Sequence, residues 1–210
     1  MDIIFKDKGK NIISEEHAIG INEYYKAFYK NDVLILEEYY YNTRLAGMDY
    51  YNFDNQDHKS ILDTYLQDYK DVGIVEYTPY TNGYKLTTTF GYNEDGLYVT
   101  NLDLYNPEGE LIGHQSLYDG VPDYYHTRKY YYNREENPEK YLFECTYREE
   151  TGELWELDWN NEHINNSGQD SFVLTNTPKD IEALLALTGM SRELADYYMN
   201  SNVVPDFAKK

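Results

Sequence analysis

Two patterns of apolar and polar positions divide the chain. Between residues 22 and 160, aromatic and β-branched residues crowd into short runs that end in polar turns, whereas from 171 to 210 apolar residues return every three or four positions. The first pattern suits pleated strands and the second amphipathic helices. Asn22 to Tyr29 and Val33 to Tyr41, joined by Lys30-Asn31-Asp32, form the first predicted hairpin. Ile74 to Tyr80 and Tyr84 to Phe90 form a second around Thr81-Asn82-Gly83, because Asn-Gly accepts the positive φ of a tight turn. Tyr92-Asn93-Glu94-Asp95-Gly96 leads into a strand from Leu97 to Tyr105, and Asn106-Pro107-Glu108-Gly109 into another from Glu110 to Tyr118. Tyr141 to Tyr147 and Glu153 to Trp159 flank the turn Arg148-Glu149-Glu150-Thr151-Gly152.

Helical spacing interrupts this series once. Ile61, Leu62, Tyr65, Leu66 and Tyr69, with Gly73 just beyond, predict a helix near 59–70. In the tail, Thr177-Pro178 stand in cap-then-proline order, and Ile181, Leu184, Leu185 and Leu187 make one stripe that Thr188-Gly189 stops. Ser191 caps a second helix with Leu194, Ala195, Tyr198 and Met199 on one side, ended by Asn200-Ser201-Asn202 and Pro205. The expected fold class is therefore α+β. Repeated hairpins build an antiparallel sheet over 1–170, and a helical hairpin over 171–210 packs on it as a cap.

The turns repeat one another. Tyr105-Asn106-Pro107-Glu108-Gly109-Glu110-Leu111 matches Tyr147-Arg148-Glu149-Glu150-Thr151-Gly152-Glu153-Leu154: an aromatic, a polar turn with glycine, then Glu-Leu opening the next strand. Related phrases are Tyr29-Lys30-Asn31-Asp32-Val33-Leu34 and Tyr41-Asn42-Thr43-Arg44-Leu45-Ala46-Gly47. Over residues 22–160, with gaps at 55–73 and 119–138, these phrases resemble the tyrosine, asparagine-glycine, leucine hairpin repeats of the YwqK-type antitoxin family, relatives of MORN repeats. Where that family has Asn-Gly, this chain carries Asn31-Asp32 and Asn42-Thr43. The resemblance implies an elongated antiparallel sheet of stacked hairpins, and an antitoxin or immunity-type binding protein without catalytic residues. Convergent tyrosine-rich hairpins in another all-β scaffold would produce the same phrases.

Composition narrows the partners. The chain holds 18 Lys and Arg against 38 Asp and Glu, a net charge of −20, which repels nucleic acid and anionic lipid. Residues 1–170 contain 14 basic and 33 acidic side chains, and 171–210 contain 4 and 5, so the charge belongs to the hairpin region. With 26 Tyr and 17% aromatic residues the chain has far too much apolar mass for an acidic disordered segment. No apolar run approaches the ~18 residues of a membrane span, and MDIIFKDKGK has no apolar core after its charges. With a single cysteine, these features point to the cytoplasm.

Motifs for catalysis are sparse. His17, His58, His114, His126 and His163 lack the close spacing of a zinc site, and neither a nucleophile elbow nor a phosphate-cradling loop occurs. His114 lies on a predicted strand and His126 in the tyrosine-rich stretch after Pro122, where either could sit near carboxylates, but the default for an isolated histidine is a surface or satisfied residue. Cys145 alternates with Tyr141, Phe143 and Tyr147 and so belongs to an aromatic face. Asp54-Asn55-Gln56-Asp57 and Asn93-Glu94-Asp95-Gly96 lack the alternate-ligand spacing of a calcium loop. The expectation is a protein with no catalytic residue, no metal and no cofactor.

Acidic density is the strongest chemical signal. Between Glu135 and Glu162 ten acids face only Lys140 and Arg148, a net of −8 in 28 residues, interleaved with Tyr141, Phe143, Tyr147, Trp155 and Trp159. Aromatic anchors in a field of one sign suit a protein interface that steers a basic partner. Period-two alternation sends Trp155, Leu157 and Trp159 to one face and Leu154, Glu156 and Asp158 to the other. The candidate partner-binding residues are Glu135, Glu136, Glu149, Glu150, Glu156 and Asp158. The leading expectation is an immunity protein or antitoxin that neutralises a basic toxin such as a nuclease. Its rivals are a carbohydrate- or peptide-binding module using exposed tyrosines, an acid/base hydrolase using paired carboxylates, and acidity that serves solubility alone.

Overall fold

The computed structural model describes residues 1–133, 135, 141–159, 170–172 and 178–209. In chain order the elements are β1 (Asp2–Asp7), β2 (Ile12–Ile13), α1 (Glu15–Gly20), β3 (Glu23–Lys30), β4 (Val33–Tyr41), β5 (Arg44–Tyr51), α2 (His58–Tyr65), β6 (Val72–Pro79), β7 (Lys85–Asn93) and β8 (Gly96–Tyr105). They continue with β9 (Leu111–Tyr118), β10 (Val121–Tyr131), β11 (Phe143–Tyr147), β12 (Leu154–Trp159), β13 (Asp170–Phe172), α3 (Pro178–Thr188) and α4 (Arg192–Tyr198). The fold is α+β, a mostly antiparallel sheet of successive hairpins with short helices.

The turns follow from local chemistry. Asn31-Asp32 and Asn42-Thr43 both hold two consecutive residues at positive φ (52° and 62°, 48° and 62°), the conformation that matches the twist of paired strands. Asn-Asp and Asn-Thr thus do the work of Asn-Gly in the β3–β4 and β4–β5 hairpins. The second hairpin closes through Tyr80 N–H to Tyr84 O at 2.8 Å, with Gly83 at φ 88°.

The chain gathers into two compact units, Met1–Tyr77 with Thr88–Thr100, and Thr78–Thr87 with Asn101–Lys210. The composition shift at 170/171 lies within the second unit.

In the first unit the strand order is β6-β5-β4-β3-β1-β2. β5 and β6 pair in parallel, Asp49 opposite Gly73, so the link between them must cross over, and α2 lies in that crossover. Asp57 caps α2 by accepting from Ser60 N–H, and Ile61 packs on Leu36, Met48, Tyr50, Val72 and Ile74. The helix expected over 59–70 ends at Tyr65, although the Tyr65 and Tyr69 rings still meet edge-on.

In the second unit β9, β10, β11, β12 and β13 pair antiparallel in sequence order. β10 lies within 119–138, where the hairpin repeat has a gap. Leu104, Ile112, Phe143, Cys145, Tyr147, Leu154, Leu157 and Trp159 form a core with Leu184, Ala195, Tyr197, Tyr198 and Val203. The two helices of the tail therefore cover the inner face of these strands. α3 begins at Pro178, and the Thr177 cap lies outside the described residues. Ser191 caps α4 by accepting from Leu194 N–H at 3.2 Å.

Candidate partner-binding face

With Phe143, Cys145 and Tyr147 committed to the core, alternation turns Glu144 and Thr146 of β11 outward, and Arg128 of β10 and Glu156 and Asp158 of β12 flank them. This outer face is a ladder of charge. His114 Nδ1 lies 2.7 Å from Asp103 Oδ1, Arg128 Nε lies 3.1 Å from Glu144 Oε1, and Glu144 stands opposite Asp158. The Tyr141 hydroxyl donates to Glu144 Oε2 at 3.2 Å, and desolvation together with that carboxylate's charge pushes the phenol up to about 12. His126 Nδ1 also lies 2.6 Å from Asp123 Oδ2. Burial works against ionisation of Asp123, but side-chain and backbone hydrogen bonds from His126 outweigh it and hold the carboxyl below its ordinary range.

Two irregularities in the strands aim aromatic side chains out of this face. In β12, Tyr147 pairs with Leu154 but Thr146 pairs with Glu156, so Trp155 is the extra residue of a bulge. This corrects the alternation expected from sequence. Leu154 is buried in the core, Trp155 is 49% exposed, and Trp159 is buried against Phe143. Trp159 is thus a core residue and only Trp155 is available as an anchor. In β10, Asp123 pairs with Ser116 and Arg128 with His114, five steps against two, a bulge that keeps Thr127 buried and leaves Tyr125 59% exposed. The bulge closes on itself: Asp123 accepts from His126 N–H, Thr127 Oγ1 donates to Asp123 O at 2.7 Å, and Arg128 Nη1 donates to Tyr125 O at 2.7 Å.

Between the two bulges lies a groove of about 370 Å³, lined by Tyr125, Arg128, Thr146, Tyr147, Trp155 and Glu156. The Arg148 guanidinium sits 4.2 Å from the Trp155 ring centroid. Glu149 and Glu150 are exposed on the adjoining turn, which is pinned by Ser201 N–H to Gly152 O at 2.9 Å. Gly152 is required there, because a Cβ would meet the Ser201 hydroxyl and the Tyr124 ring.

The expected site residues therefore divide. Glu156 lines the groove, Glu149 and Glu150 are exposed on the β11–β12 turn, and Asp158 is half-buried further along β12. Glu135 is exposed beyond the end of β10 and does not line the groove, and Glu136 lies outside the described residues. Tyr125 was not singled out by sequence, and a bulge three residues long leaves no local signature. For Trp155 a signal existed: Leu154, Leu157 and Trp159 break period two.

The first unit holds a second cluster that sequence reasoning missed. Glu37 is buried between Lys6 Nζ at 3.0 Å and Lys10 Nζ at 2.6 Å, and Asp49 stands directly opposite it on β5. Desolvation, then the Glu37 charge, push Asp49 up to about 6. Gly73 makes room for that carboxylate, since a Cβ at 73 would fall on it. Nearby, His58 bridges Tyr92 Oη and Glu76 Oε1, each at 2.8 Å, which ties the start of α2 to β6 and β7.

Burial pushes the Cys145 thiol up to about 12, the opposite of what a nucleophile needs. Among the described residues no group of three or more His, Cys, Asp or Glu is placed to hold a metal ion, and no helix is long and apolar enough to cross a membrane. No protein-family model, no curated protein and no solved structure matches the chain.

Proposed function

We propose that this protein is a non-catalytic binding protein of the antitoxin or immunity type, which neutralises a basic protein, such as a nuclease, through the outer face of β10, β11 and β12. The observation that carries the reading is the pair of bulges. They expose Tyr125 and Trp155 on either side of a groove whose surroundings supply Glu144, Glu149, Glu150, Glu153 and Glu156 against Arg128 and Arg148. Bulges that turn large aromatic rings into water cost burial, which a partner would restore. Among the described residues, Arg128 is engaged by Glu144 and Arg148 by the Trp155 ring, and the carboxylates of this face outnumber them. A toxin with a phosphate-attracting site presents the complementary sign.

The test is coproduction with a basic toxin encoded beside this gene. Growth should be rescued and a complex isolated, whereas the triple variant Glu149→Lys, Glu150→Lys, Glu156→Lys should fail in both. Rescue by the triple variant equal to that of the natural chain would leave the acidity to solubility. A carbohydrate-binding reading is favoured by one feature, the Tyr125 and Trp155 rings flanking a polar groove, and titration with neutral oligosaccharides separates it from the first.

A further inference from the structure

We infer that the groove between Tyr125 and Trp155 is a receptor for one arginine side chain of the basic partner. The inference rests on the reading of this face as partner-binding and names the group that anchors there.

The groove's two most exposed walls are aromatic, Tyr125 at 59% and Trp155 at 49% exposed. Electron-rich ring faces attract cations, and tryptophan does so most strongly. Trp155 already behaves in this way within the chain, because the Arg148 guanidinium lies 4.2 Å from its centroid. Trp155 lines the groove and Arg148 does not.

The polar wall has the matching sign. Glu156 supplies a carboxylate and Thr146 a hydroxyl, both turned outward from paired positions on β12 and β11. Arg128, the cation in the lining, is spent. Its Nε is held by Glu144 at 3.1 Å, and its Nη1 by the carbonyls of Tyr125 at 2.7 Å and Thr127 at 2.9 Å. None of these acceptors is Glu156.

Shape selects arginine over lysine. A planar guanidinium stacks on a ring while its edge donors reach a carboxylate, whereas an ammonium offers a strongly hydrated point charge with no plane to stack. A volume of about 370 Å³ holds one such side chain with its stem.

The experiment titrates the full chain with four fluorescently labelled probes, tetra-arginine, tetra-lysine, tetra-glutamate and maltotetraose, and follows their anisotropy at two salt concentrations. Tetra-arginine should bind several-fold more tightly than tetra-lysine, and tetra-glutamate and maltotetraose should not bind. Trp155→Ala and Glu156→Gln should each weaken tetra-arginine about fivefold or more, the range expected for a stacked cation and its carboxylate. Asp206→Asn, a loss of charge at an exposed position that does not line the groove, should leave it unchanged. Circular dichroism checks that the variants keep their fold. Equal binding of the two cationic peptides with no effect of Trp155→Ala would reduce the site to a diffuse field and overturn the inference, as would binding of maltotetraose in the groove. If tetra-arginine fails while charge reversal still abolishes toxin neutralisation, the groove inference falls and the proposed function stands. If tetra-arginine binds through Trp155 but no basic protein is neutralised, the receptor stands and the antitoxin reading falls.

Discussion

At the scale of single residues, two positions carry strain that a substitution can expose. Thr43 holds φ at 62°, where its branched Cβ is disfavoured, and its hydroxyl donates to Asn42 O at 2.7 Å. Thr43→Gly should raise stability by about 1 kcal/mol, the strain relieved exceeding the added chain entropy. Urea denaturation checks this, with an unchanged slope expected. Asp49 is strained electrostatically. Its folded-state pKa of about 6 lies above the 3.8 of an ordinary aspartate, so the folded protein holds a proton that the unfolded chain releases. Stability is therefore full below pH 3.8 as far as this group is concerned and is lost as pH rises through 6. Asp49→Asn removes the loss, and above pH 7 it should be the more stable protein by about 3 kcal/mol. The difference in melting temperature between the two should grow from pH 4 to pH 7 and then level off. A difference independent of pH would show that Asp49 is not the group responsible.

At the scale of elements, the C-terminal segment is held by a group with no counterpart in the sequence pattern. Lys129 is fully buried in β10, and its Nζ donates to the carbonyls of Tyr197, Asn200 and Asn202 at 2.5, 2.6 and 2.7 Å, with the Tyr197 ring 3.5 Å away. Three donors meet three carbonyls at and beyond the end of α4, where the helix leaves acceptors unpaired. Lys129→Met fills the same space but removes every donor, and it should destabilise the fold by about 3–5 kcal/mol. The urea midpoint measures the loss, and amide exchange should rise first around Tyr197 to Asn202. The contrast with the hairpins shows what the sequence made legible. The β3–β4 and β11–β12 hairpins were readable because the turn residues that make them are neighbours in the chain. The parallel pairing of β5 with β6 was not, since it depends on α2 packing Ile61 against strands on either side of the crossover. The lysine at 129, polar in a strand, reads as a surface residue until the carbonyls some seventy positions later are brought to it.

At the scale of the whole molecule, a net charge of −20 sets a long-range field, and the arrangement of the few cations decides where it stays uncompensated. Lys6 and Lys10 are consumed by Glu37, Lys8 by Glu23 and Arg128 by Glu144. The turn bearing Glu149 and Glu150 keeps both carboxylates exposed, and Glu156 stands at the groove. Asp158 is half-buried, so reversing its charge would disturb the fold, and the informative reversal is confined to Glu149, Glu150 and Glu156. Each reversal changes the local charge by two, a total of six. If these residues steer a basic partner, association should slow roughly tenfold or more at low salt in the triple variant, and its dependence on ionic strength should flatten. Dissociation should change less when only Glu149 and Glu150 are reversed, because charges at the rim of an interface act mainly on encounter while groove residues such as Trp155 and Glu156 set residence time. Stopped-flow mixing at several salt concentrations separates the two rates. A triple variant with unaltered association and an accelerated dissociation would place these carboxylates in the buried contact, and a variant unaltered in both would move the interface away from β11 and β12.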